Sequence, residues 1–197
     1  MNYELGDKMN LKEEFIKLGY TEDDYNEIRN SYALINIKDE TISMHLKDIF
    51  TFFLECGYTK EEVIKITKIL PAIYGLSIEN MKQKIVDIMD LGYTKEEVIK
   101  MTKILPAIYG LSIENMKQKI ADILELGYTK EEVIKMTKAL PSIYGLSIEN
   151  MKQKIADIMD LGYTREEVIK ITKTFPSIYS YSIENIKQKI ADVMDLG

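Results

Sequence analysis

An all-α solenoid of 35-residue, two-helix repeats is the fold class this chain predicts. Three observations carry it. Nearly the same sequence is written four times, over 57–91, 92–126, 127–161 and 162–196, and self-similarity at a period of about 20–50 residues marks a repeat architecture. Each copy holds two apolar runs at helical spacing. Each separates them with a proline: Pro71, Pro106, Pro141 and Pro176. Successive copies differ by conservative exchanges, with Met101 standing for Ile66, Ala121 for Val86 and Glu125 for Asp90. An array whose repeats bury their apolar faces on their neighbours accounts for the region; a right-handed and a left-handed superhelix are equally compatible with it.

Residues 1–56 read as a degenerate N-terminal cap. Leu11 to Leu18 resembles the tail of a second helix, Gly19-Tyr20-Thr21 matches the repeat start, and Met44 to Cys56 stands where another second helix belongs. This copy lacks the proline. Residues 57–197 then continue the same solenoid as four near-identical repeats.

In the first of these, Thr59-Lys60-Glu61-Glu62 is a capping box, in which the threonine hydroxyl accepts from the Glu62 backbone and the Glu62 carboxylate reaches back. A helix over 60–70 follows, with Val63, Ile66 and Leu70 on one side. Pro71 ends it, because the residue before proline is pushed out of the helical region. The stretch Pro71 to Leu76 predicts a proline-opened turn, and Ser77 caps a second helix over 78–90. Its stripe of Ile78, Met81, Ile85, Ile88 and Met89 must face a core. Gly92 closes it in the left-handed C′ position, with Tyr93 folding back on the last turn. Helices of this length are marginal alone, so each must lean on its neighbours.

Composition narrows the function. Hydrophobic residues make up 46% of the 197 and charged residues 29%, which suits an ordered, core-forming chain. One cysteine, Cys56, and one histidine, His45, cannot build a disulfide or a structural zinc site. Neither a glycine-rich phosphate loop nor a catalytic carboxylate pair stands out, so no enzyme, cofactor or metal is expected. No apolar run approaches the roughly 20 residues of a spanning helix, and the first ten residues are neither a secretory signal nor a transit peptide. The expected setting is intracellular: cytoplasmic, or organellar where a transit peptide has been removed. The net charge of −6 resides in residues 1–56, with twelve acidic and six basic side chains, whereas each repeat holds five of each.

The arrangement L-G-Y-T-x-E-E-V-I-K, then L-P-x-I-Y and S-x-E-N-x-K-x-K-I, resembles the mitochondrial transcription termination factor (mTERF) family. That family's repeat has a proline after its first helix and a Ser-x-Glu-Asn-x-Lys start to its second, here the segments from Ser77, Ser112, Ser147 and Ser182. The resemblance implies a superhelix of short helices that grips DNA or RNA along a basic inner surface. Copies this alike also point to recent amplification or to design on a consensus. A weaker resemblance, T-x-E-x-V-x-x-I, is to the repeats of transcription-activator-like (TALE) effectors, which read one base per repeat from the loop between two helices. It implies recognition positions at Ile69, Ile104, Ala139 and Thr174. These are mostly apolar, and base readout normally needs donors and acceptors, so tolerance at a helix end is the competing reading.

On a helical wheel, Lys65 and Lys68 fall opposite the apolar face of the first helix. Stacked four deep, Lys65, Lys68, Lys100, Lys103, Lys135, Lys138, Lys170 and Lys173 form a ladder suited to phosphates. The competing reading is a solvated face with Glu61–Lys65 pairing along the helix. The repeated tyrosines could stack on bases or pack beside the caps, and Met81, Met116 and Met151 read as core filler. The sequence thus predicts a non-catalytic nucleic-acid-binding protein, or alternatively a scaffold for a protein or peptide. End-to-end association through the uncapped C-terminal repeat is a further expectation.

Overall fold

The computed structural model describes residues 10–194. The segment before Asn10 and the Leu196-Gly197 repeat boundary lie outside the described residues. Eleven α-helices and five short 3-10 turns make up the described fold, with no strand among the described residues. The chain divides after Met89 into two compact units.

The first unit holds α1 (Leu11–Leu18), α2 (Glu22–Arg29), a 3-10 turn over Tyr32–Leu34, α3 (Asp39–Glu55), α4 (Lys60–Ile69), a second turn over Pro71–Gly75 and α5 (Ile78–Met89). Here α1 and α2 pack together, α2 lies on α4, and α3 lies on α1, α5 and the proline turn. Phe15 meets Tyr20 and Tyr74 edge-on, with ring centroids 5.0 and 5.4 Å apart. The helix expected over Met44 to Cys56 starts at Asp39. Asp39 and Glu40 complement the N-terminal end of the helix dipole, and Ile42 extends the buried stripe of Leu46, Ile49 and Phe53 one turn upstream.

The second unit holds α6 (Lys95–Ile104), a turn over Pro106–Gly110, α7 (Ile113–Glu125), α8 (Lys130–Ala139), a turn over Pro141–Gly145, α9 (Ile148–Met159), α10 (Arg165–Thr174), a turn over Pro176–Ser180 and α11 (Ile183–Met194). The first helices of its repeats form one row, α6 on α8 on α10. The second helices form another, α7 on α9 on α11, and the turns opening at Pro141 and Pro176 pack on the second helix of the preceding repeat.

Capping boxes form at Thr59, Thr94, Thr129 and Thr164. Leu70 leaves the helical region at φ −128°, ψ 70°, immediately before Pro71. Met81, Met116 and Met151 are buried as expected, but Met89 is 37% exposed. It lies one residue past Ile88, which takes the core position, so Met89 is carried around to the edge of the stripe.

At every described repeat start a glycine closes the preceding helix and aims the tyrosine beyond it. Gly57 adopts φ 83°, a value that glycine reaches without a Cβ penalty. Its N–H donates to the Leu54 carbonyl at 2.9 Å, and the Tyr58 N–H donates to the Phe53 carbonyl at 3.0 Å. This paired closure turns the chain back and drives Tyr58 into the core. Gly19, Gly92, Gly127 and Gly162 share the positive φ.

Candidate functional site

Tyrosines delivered by those glycines join one repeat to the next. The Tyr20 hydroxyl lies 3.0 Å from Thr67 Oγ1 and 2.8 Å from the Tyr74 hydroxyl. Tyr93 meets Thr137 and Tyr144 in the same way, and Tyr128 meets Thr172 and Tyr179. Proton counting fixes the direction. Thr67 has one hydroxyl hydrogen and donates it to the Val63 and Ile64 carbonyls, each at 3.0 Å. Tyr20 therefore donates to Thr67, and Tyr74 donates to Tyr20, a chain running Tyr74, Tyr20, Thr67, backbone. Burial pushes the phenol pKa of all six tyrosines upward, which keeps them neutral donors. Tyrosines held this way pack the repeats and are closed to base stacking. The four threonines at this register, Thr67, Thr102, Thr137 and Thr172, are fully buried. Sequence reasoning missed them, although a threonine on the apolar stripe of every first helix was a usable signal.

The predicted lysine ladder separates into two series. Lys68 pairs with Asp24 at 2.7 Å and Glu27 at 2.9 Å. Lys138 pairs with Glu97 at 2.5 Å and Lys173 with Glu132 at 2.6 Å, so these lysines reach the capping acid of the preceding repeat. Lys103, at the same register, is half-buried. The other series, Lys65, Lys100, Lys135 and Lys170, is exposed and takes no ion pair among the described residues. The intrahelical Glu61–Lys65 pair is likewise absent among the described residues; Glu61 instead has its pKa lowered by backbone and Thr59 hydrogen bonds. Lys65 lines a groove of about 450 Å³ together with Asp24, Glu27, Glu61 and Lys68. Three carboxylates against two ammonium groups make that setting acidic.

The capping acids carry a matching electrostatic signature. Lys68 holds the Asp24 carboxyl down to about 2, helped by hydrogen bonds from Thr21. Lys138 and Lys173 likewise lower Glu97 and Glu132. A carboxylate depressed in the folded state contributes stability that is present above its unfolded pKa and is lost as pH falls through the folded one. Helicity should therefore erode between about pH 4.5 and 2. An NMR titration of Asp24 should show its midpoint near 2, rising part of the way toward 3.8 in Lys68→Gln, where the Thr21 bonds remain. An unchanged midpoint would show that the pair does not form.

Ile69, Ile104, Ala139 and Thr174 end their helices exposed, the isoleucines at 61% and 62%. Within the second unit they sit one turn beyond Lys100, Lys135 and Lys170 on the same row of helices. Thr174 spends its hydroxyl on the Lys170 carbonyl at 2.8 Å. His45 binds the Tyr74 carbonyl through Nδ1 at 3.0 Å, a packing contact onto the proline turn. No described helix is long and apolar enough to cross a membrane.

The sequence model of the mTERF family matches residues 37–125 and 122–195 of this chain. No curated protein matches it.

Proposed function

Because the chain belongs to the mTERF family, we propose that it is a non-catalytic protein binding double-stranded DNA or structured RNA through the exposed lysines of its first helices. One observation supports this most directly. Successive first helices α6, α8 and α10 each carry an exposed lysine without an ion pair among the described residues, Lys100, Lys135 and Lys170, while Lys138 and Lys173 beside them are neutralised by acids of the preceding repeat. Packed helices lie about 8–10 Å apart, so the row offers one ammonium for roughly every three nucleotides of a duplex strand at 3.4 Å rise. The acidic surroundings of Lys65 make it the poorest phosphate ligand of its series, which concentrates the interface on the second unit. Ile104, Ala139 and Thr174 would border the bound strand.

Titration of the full chain against labelled duplex DNA and hairpin RNA at rising salt tests this reading. Binding through lysine–phosphate contacts should weaken linearly in log affinity against log salt. Absence of binding at the lowest salt would sink the reading. A second reading, a scaffold for a protein partner, is favoured by an apolar groove beside α10 and α11.

A further inference from the structure

Constant and variable positions alternate on the outward face of the first helices. Within the second unit, Lys100, Lys135 and Lys170 hold one register, exposed and without an ion pair among the described residues. Four residues on, the equivalent position holds Ile104, Ala139 and Thr174, a different side chain each time and exposed in each. Residues four apart share one face of a helix, and α6, α8 and α10 pack in one row, so the three pairs form a continuous strip. The neighbouring turn varies with it, Ala107 standing where Ser142 and Ser177 are. A constant cation beside a changing short side chain is the division of labour of duplex recognition, in which phosphate contacts position the protein and contacts to base edges carry the sequence information.

The chemistry of the changing position indicates which base edge it fits. Ile104, 62% exposed, and Ala139 have no hydrogen-bonding atom in the side chain. Thr174 donates its hydroxyl proton to the Lys170 carbonyl at 2.8 Å, so it has no proton left for a base. None of the three side chains can donate to a base edge, and two cannot accept from one. What they hold in common is a methyl group. Among the base edges displayed in the major groove of DNA, only thymine presents an apolar group, its C5-methyl, and alanine and the threonine methyl are among its usual partners. That groove is about 12 Å wide and admits a helix. The major groove of duplex RNA is too narrow for side chains to read, and uracil lacks the methyl.

Resting on the nucleic-acid function proposed above, we propose that this strip lies in the major groove of duplex DNA and selects thymine, with Lys100, Lys135 and Lys170 on phosphates and Ile104, Ala139 and Thr174 against thymine methyl groups. The long lysines reach the phosphates that wall the groove, and the short side chains face its floor. Competition of the full chain between two all-A·T DNA duplexes, identical except that one carries deoxyuridine wherever the other carries thymidine, isolates the methyl group. Burying one methyl supplies a factor of about four, so with two or three engaged the thymidine duplex should bind at least about tenfold more tightly. Duplex RNA of the same sequence should bind no more tightly than the deoxyuridine duplex. The variant I104S/A139S/T174S, checked for helicity by circular dichroism, lacks the three methyl-bearing side chains. It should bind both DNA duplexes to within about twofold of each other, with the salt dependence unchanged. Equal affinity of the wild-type chain for the two duplexes, with a steep salt dependence, would overturn thymine selection and leave the lysine–phosphate function standing, whereas no binding to either would overturn both. A thymidine preference retained in full by the triple variant would also overturn the proposal, by placing the methyl contact on other residues.

Discussion

Replacing Lys100, Lys135 and Lys170 together with glutamine should remove most of the affinity for duplex DNA or structured RNA while leaving helicity and melting unchanged. Each lysine that neutralises a phosphate adds about 0.9 to the slope of log affinity against log salt on duplex DNA, so the triple variant should show a slope shallower by about 2.7. The three side chains are exposed and make no ion pair among the described residues, so their loss leaves no buried charge behind. Changing Lys138 and Lys173 to glutamine supplies the contrast. These ammonium groups already hold Glu97 and Glu132, and their loss should lower the melting temperature with little effect on the salt slope. Equal loss of affinity in both variants would place binding elsewhere on the surface.

Tyr93→Ala should cost about 3–5 kcal/mol of stability, the range for deleting a large buried ring. Tyr93 is buried, and its hydroxyl is the middle member of the chain from Tyr144 to Thr137. The conservative Tyr93→Phe keeps the ring but removes the hydroxyl that links Tyr144 to Thr137, which should cost about 1–3 kcal/mol. Denaturant titrations measure both. A double-mutant cycle with Thr137→Val should then report a coupling between residues 44 apart in sequence, since residues sharing one hydrogen-bond chain are not additive. Additive effects would mean that the ring alone matters. Array stability is approximately a sum over neighbouring repeats, so hydrogen exchange should rise most where α6 meets α8.

The capping boxes, the proline turns, the glycine closures and the stripe of Met81, Ile85 and Ile88 were legible because each is a relation among residues no more than about five positions apart. The distinction between Lys65 and Lys68 was not. A wheel puts both on the outward arc of one helix, and only the position of the previous repeat decides that Lys68 meets Asp24 while Lys65 stays in solvent. Near-identical copies worsen the problem. Thr67 and Lys65 recur with equal regularity, so repetition does not tell a buried hydroxyl from an exposed ammonium.

The repeat, its two helices and its turn are written in the residues themselves, since helix caps, proline and glycine act on the backbone locally and do so wherever the repeat is placed. Stacking decided which polar groups are consumed in joining repeats and which remain outside. Glu97 and Lys138 are 41 residues apart and Tyr93 and Thr137 are 44 apart, and they meet only through the register in which one repeat lies on the next. Burial of the apolar faces sets that register, and no periodicity within a single repeat encodes it.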